Sequence, residues 1–95
     1  MIPDTFLFII NPKAGGRSKH DLNVLIAQMA KQFNKPYEIV FTTHAGHAFE
    51  LASFIDENKY LAIVAVGGDG CINVVGRGLI NKSVALAIVL LGSRY

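Results

Sequence analysis

The sequence predicts an α/β domain built on a parallel sheet, and three features of its pattern carry that prediction. Apolar runs of strand length recur along the chain, rich in β-branched and aromatic residues. The segments between them place apolar residues at helical spacing. Loop formers follow the runs directly, as in Asn11-Pro12 after the first and Gly67-Gly68 after the third. Strands alternating with helices need crossover connections, which give parallel pairing and right-handed turns. At 95 residues the chain is one domain, near the lower edge of what one core supports.

Thr5 to Ile10 reads as a strand buried on both faces, because Phe-Leu-Phe-Ile-Ile leaves no polar side. It stops at "NPKAGGRS", a loop expected to hold Lys13, Arg17 and Lys19, with no acid between Asp4 and Asp21. Ser18, with Asp21 three residues on, marks a helix start. Leu22, Leu25, Ile26, Met29 and Phe33 form one stripe to about Phe33, and Pro36 is expected to end the helix. Tyr37 to Thr42 is the second strand. Ala48, Leu51, Ala52 and Ile55 share one face of a second helix. Leu61 to Val66 is the third strand, and Cys71 to about Leu79 a short helix in spite of Gly76 and Gly78. Val84 to Leu91 is a fourth strand, apolar on both faces, so it wants cover on both sides. That cover is expected from a partner, a second copy or, preferably, a longer architecture. The pattern does not set the order of the strands.

Composition narrows the class. With 52% hydrophobic and 17% charged residues the chain is too apolar for disorder. The single cysteine, Cys71, excludes an internal disulfide, and no Cys/His spacing reads as zinc-binding. A reduced, cytoplasmic setting is expected. "MIPDTFLFII" opens with an acid instead of a basic region, so no export signal is expected, and the longest apolar run falls well short of the roughly 20 residues that span a bilayer. A net charge of +2 gives no ground for a nucleic-acid partner.

In open α/β sheets, ligands bind where loops leave the carboxyl ends of strands. Gly67-Gly68-Asp69-Gly70 is the sharpest such loop. Glycines let backbone N–H groups approach an anion, and the following helix adds the positive end of its dipole. A carboxylate there repels phosphate unless a divalent cation mediates or it accepts from a hydroxyl; the other reading makes Asp69 a helix cap. "NPKAGGRSK" either meets phosphate oxygens or is a solvated basic loop. It lacks the Walker A pattern, and "GGDGCIN" lacks the third glycine of the dinucleotide fingerprint. His44 and His47, three apart, can bring two imidazoles together, but no third metal ligand accompanies them. His47 reads as a helix start. Cys71 is either a thiol activated by a helix terminus or a small buried filler.

"NPKAGG", "TTHAGHAFELA" and "VAVGGDGCINVVGRGL", in that order, resemble the amino-terminal half of the diacylglycerol kinase catalytic domain, the family of bacterial lipid kinases and of sphingosine and ceramide kinases. NAD kinases share a GGDG loop and supply a third reading, but the other two segments favour the lipid kinases. The resemblance implies a three-layer nucleotide-binding domain paired, in the whole enzyme, with a β-rich domain that shapes the lipid pocket. It also implies that magnesium and ATP are used to phosphorylate a lipid hydroxyl. Carried over, Asn11, Pro12, Lys13, Ala14 and Gly15 belong to the ATP site, with Thr42 and Ser93 as further contacts. Gly67, Gly68, Asp69, Gly70, Cys71, Ile72 and Asn73 hold the phosphates, and Asp69 is the catalytic carboxylate, either organising magnesium or orienting the reacting hydroxyl.

There are departures from the family's pattern. Cys71 stands where it has threonine, Val74 where it has glutamate, and Arg77 where it has asparagine. Ser93 stands in for another threonine, but Arg94 and Tyr95 replace glycine and asparagine. Without an acceptor domain, the chain alone is expected to bind ATP with little or no lipid kinase activity, in the cytoplasm or at the inner face of the membrane. The alternative is a non-catalytic nucleotide- or phosphate-binding module, or a decayed kinase remnant acting through a partner.

Overall fold

The computed structural model describes residues 2–13 and 16–91. Its sheet has four parallel strands, β1 (Thr5–Ile10), β2 (Tyr37–Phe41), β3 (Tyr60–Gly67) and β4 (Ala85–Leu90), in the order β2-β1-β3-β4. Helices α1 (Lys19–Phe33), α2 (His47–Ser53) and α3 (Asp69–Gly78) fill the three crossovers. The continuous apolar runs of β1 and β3 belong to the two inner strands, which are covered on both faces.

Side chains alternate across the sheet with period two, and each face makes its own core. Phe8 and Ile10 of β1, with Val64 and Val66 of β3, pack against Leu22, Ile26 and Ala30 of α1. Leu7, Ile9, Ile63 and Ala65 point the other way, onto Ala48 and Ala52 of α2 and Val75 of α3. One helix therefore lies on one face and two on the other, as right-handed crossovers require for this strand order. Full burial of Phe8, Leu22, Ile26 and Ile63 contributes about 1.5–3 kcal/mol each. That outweighs the few tenths that separate ordinary residues in helix propensity.

Several boundaries differ from the sequence reading. Ser18 does cap α1, its Oγ accepting from the Asp21 N–H at 3.1 Å. The helix ends at Phe33 because Asn34 turns left-handed (φ 53°) and returns its N–H to Ala30. Pro36 comes too late to be the stop signal. Lys19 is not a loop cation: it opens α1 and sits over the Phe41 ring, 5.4 Å from its centroid. α2 stops at Ser53, and Ile55 reaches the core from the segment beyond it. α3 starts at Asp69, two residues before the expected Cys71.

The amino ends of the strands are tied by two carboxylates. Glu57 Oε1 accepts from the Ser83 N–H at 2.6 Å and from its hydroxyl at 2.7 Å. Glu38 pairs with Lys59 Nζ at 2.6 Å and accepts from the Tyr60 hydroxyl. These donors hold both carboxyls below their ordinary range, the Lys59 contact dominating for Glu38 and the Ser83 backbone for Glu57.

The outer strand β4 lacks the expected cover among the described residues. Ile88 is 52% and Leu90 60% exposed, and Leu86 is also open to solvent. No helix among the described residues is long and apolar enough to cross a membrane.

α2 and α3 meet at Gly78, where an added Cβ would lie 2.6 Å from the Ala52 Cβ and 3.0 Å from the Phe49 carbonyl oxygen. Overpacking of that kind costs about 1–3 kcal/mol. Gly78→Ala is expected to lose stability in that range by urea denaturation, even though alanine is the better helix former. Unchanged stability would show that the two helices can part without cost.

Candidate functional site

From β1 the chain steps outward to β2, then crosses back over β1 to reach β3. The loops after β1 and β3 consequently leave on opposite faces, and a crevice opens between them at the carboxyl end of the sheet. Main-chain bonds hold its rim together. The Asn11 N–H donates to the Val66 carbonyl at 3.4 Å, and Thr42 N–H to that of Ile10 at 2.9 Å. Leu91 N–H reaches the Gly67 carbonyl at 3.0 Å. The segments "NPK", "TTHAGH" and "GGDG" are thereby gathered at one end of the molecule.

Asn11 directly follows β1, and its Oδ1 accepts from the Lys13 N–H at 3.0 Å, folding Pro12 and Lys13 into a tight turn. Gly67, at φ 156°, sits in a crowded corner: a Cβ there would meet the Cys71 Cβ at 3.3 Å and the Asn11 Cβ at 3.8 Å. Gly68 caps α3 in extended conformation and offers no side chain, so no side-chain bond satisfies the first N–H groups of that helix. Asp69 is the helix's first residue and lies in its first turn; it is not the cap.

Gly68 and Gly70 differ in kind from Gly67. Neither has a positive φ, and a Cβ on either would touch nothing within 4 Å. The fold therefore makes no steric demand for glycine at these exposed positions. A ligand that approaches the backbone does make one.

Two hollows open beside this corner. One of about 310 Å³ lies between the β1 loop and the β2 loop, bordered by Asn11, Pro12, Lys13, Thr42 and His44. A smaller one, about 170 Å³, lies between the β2 loop and α3, bordered by Asn11, Thr42, His44, Gly70 and Cys71. Asn11 and Thr42 thus stand where both hollows meet. Ile72 lines neither and packs against the core beneath α3, while Asn73 is exposed. Ala14, Gly15 and Ser93 lie outside the described residues.

The Cys71 thiol is half-buried, and burial pushes its pKa up, the direction of a small buried filler. Among the described residues no three His, Cys, Asp or Glu side chains are grouped to hold a metal. The expected pairing of the histidines does occur: their rings stack with centroids 4.8 Å apart. Sequence reasoning assigned His44 no role at the site, yet it lines both hollows together with Ala45. Its place in the loop directly after β2 was the available signal.

Comparison with known proteins agrees with this fold. The family model of the diacylglycerol kinase catalytic domain matches residues 5–94. Sphingoid long-chain bases kinase 1 of Arabidopsis thaliana is 44% identical over 79 residues, which is 81% of this chain and 10% of that protein. Human ceramide kinase is 35% identical over 82 residues, 85% of this chain and 15% of that protein. The crystal structure of a diacylglycerol kinase from Bacillus anthracis str. Sterne superimposes with a TM-score of 0.78 at 29% identity, covering 94% of this chain and 33% of that one. The chain therefore spans a third or less of each of these relatives. With its parallel sheet and with that match running nearly end to end, the chain belongs to the diacylglycerol kinase catalytic domain family.

Proposed function

We propose that this chain supplies the ATP-binding half of a lipid kinase, and that its donor site is the crevice between the β1 and β3 loops. The observation that carries the reading is Gly70, a helical glycine that the packing does not need, beside the N-cap Gly68. Their N–H groups, with the uncapped first turn of α3, form a cradle for phosphate oxygens. Lys13 adds a cation from the facing loop, and Asn11 and Thr42 border the space between. Ala14, Gly15, Cys71, Ile72, Asn73 and Ser93 are assigned to the same site by the family pattern.

Asp69 is the only carboxylate in this corner of the sequence, and a single carboxylate suits magnesium. That ion keeps several waters and takes its other ligands from the nucleotide's phosphates. Bound there, magnesium would neutralise phosphate charge during transfer. Asp69 would either hold the ion or orient the lipid hydroxyl that receives the phosphoryl group. With the acceptor pocket supplied from elsewhere in such an enzyme, the isolated chain forms little or no phosphorylated lipid. One observation favours the alternative, a phosphate-binding module without catalysis: Cys71 presents a neutral, half-buried thiol where the family has a hydroxyl.

Calorimetric titration of ATP with and without magnesium tests the reading. Magnesium-dependent binding is expected, weakened at least tenfold in Asp69→Ala. No binding to the folded chain would leave the glycine loop as architecture alone. Gly70→Ala separates the site from the fold. Because the position is helical and open, stability should rise by about 0.5–1 kcal/mol, while ATP binding falls tenfold or more. Unchanged affinity would remove the cradle.

The uncovered row of Leu86, Ile88 and Leu90 on β4 is where we place self-association of the isolated chain. Light scattering should show dimers or larger species that Ile88→Lys disperses. A monodisperse monomer at high concentration would exclude this.

A further inference from the structure

The loop between β2 and α2 holds a cluster that the donor-site reading leaves unused. The His44 and His47 rings stack nearly parallel, 8° apart in plane, with Thr43 reaching both. The Thr43 N–H donates to His47 Nδ1 at 3.0 Å, so that nitrogen keeps its lone pair and His47 carries its proton on Nε2. Thr43 Oγ1 lies 2.9 Å from His44 Nδ1 and 3.3 Å from His47 Nδ1. On its far side, His44 Nε2 is 3.7 Å from Glu50 Oε1.

The hydrogen-bond geometry offers an acceptor to an added N–H on His44 and none on His47. With His44 as imidazolium, Nδ1–H donates to Thr43 Oγ1, whose own hydroxyl hydrogen is turned toward His47 Nδ1, and Nε2–H faces the Glu50 carboxylate. Every group then has a partner. A proton added to His47 must go on Nδ1, where it would confront the Thr43 N–H, donor against donor. Protonating both rings would stack like charges 4.8 Å apart.

His44 also borders both hollows, beside Asn11 and Thr42. We propose that His44 is a proton-linked contact for the nucleotide's anionic phosphates, so that ATP binding draws one proton onto its ring. This rests on the donor-site reading above. A polyanion close to an imidazole favours the charged ring. The other groups facing it are few. Glu50 and His47 come from α2, Lys13 lines the larger hollow from the β1 loop, and Cys71 lines the smaller one from α3. Glu50 partly offsets the imidazolium when the hollow holds no anion. His47, locked as an acceptor, keeps the proton on its neighbour.

The test is calorimetry of magnesium and ATP at pH 7 in PIPES and in imidazole, buffers with different ionisation heats. Different apparent heats in the two buffers are expected for the wild type, corresponding to partial proton uptake. That uptake should vanish in His44→Gln, an exposed position whose change leaves the fold intact. Affinity should rise roughly three- to tenfold from pH 8 to pH 6 in the wild type and less than twofold in the variant. The nucleotide's own titration is common to both proteins and cancels. Independently of any variant, NMR of the wild-type imidazoles should show His44 moving to the charged form on adding ATP while His47 stays neutral. Binding without a difference between buffers, or a proton landing on His47, overturns the inference and leaves the donor site standing. No binding in either buffer overturns the donor site and this inference with it.

Discussion

In a parallel sheet whose chain steps out from β1 to β2 and then back across to β3, the loops after β1 and β3 must leave on opposite faces. That reversal is the constraint on which the rest of this molecule depends. It puts α1 alone on one face and α2 with α3 on the other, and so divides the core in two. It also leaves the carboxyl ends of the two inner strands without a crossover passing over them. The Asn11 bond to Val66 and the Leu91 bond to Gly67 hold that end closed at the level of the backbone. Side chains and loop amides are left to line the crevice. At the opposite end, Glu57 on Ser83 ties loop to loop, and Glu38 of β2 ties to Lys59 and Tyr60 at the start of β3. Tethering and ligand access therefore occupy different ends of the same strands.

The glycines show the same division at the scale of single residues. Gly78 is demanded by packing, because Ala52 leaves no room for a methyl group. Gly67 is demanded by the corner it turns, pressed between Cys71 and Asn11. Gly68 and Gly70 are demanded by neither. Gly68, as the extended N-cap, is an accepted capping residue. A glycine in the first turn of a helix, however, costs up to about 1 kcal/mol relative to alanine, so Gly70, where nothing crowds, is a cost with no structural return. Functional sites are where such departures from local consistency gather.

Much of this was legible in the sequence, for reasons that can be traced. The inner strands are apolar on both faces because both faces are covered, and the runs Thr5 to Ile10 and Leu61 to Val66 say so directly. Ser18 and Asp21 announce α1 because capping is local chemistry. The end of α1 near Phe33 was legible, but its stop was assigned to Pro36 because Asn34 in left-handed conformation gives a quieter signal. The start of α3 was misplaced because glycine is a poor helix former, yet Asp69 and Gly70 are recruited by the packing of Val75 and Leu79 farther along. The strand order, and with it the meeting of Asn11, Thr42 and Gly70, comes from tertiary pairing that no local pattern encodes. His44 was undervalued for the same reason, since only the fold brings its loop against the other two.

Asp69 and the glycines around it do not carry equal weight. A carboxylate in the first turn of a helix is favoured by the helix dipole by about 0.3–1 kcal/mol. Asp69 thus has a structural reason to be there whether or not a nucleotide ever binds. Gly70 has none, since it weakens the helix it belongs to and relieves no contact. The acid draws the eye in the sequence, but the discriminating physical argument for a ligand lies one residue on. The same reasoning separates Lys13 from Lys19. Lys19 is held over Phe41 by the fold, whereas Lys13 is turned by Asn11 to the border of the larger hollow. A phosphate site here is therefore argued best from the groups that the fold could do without.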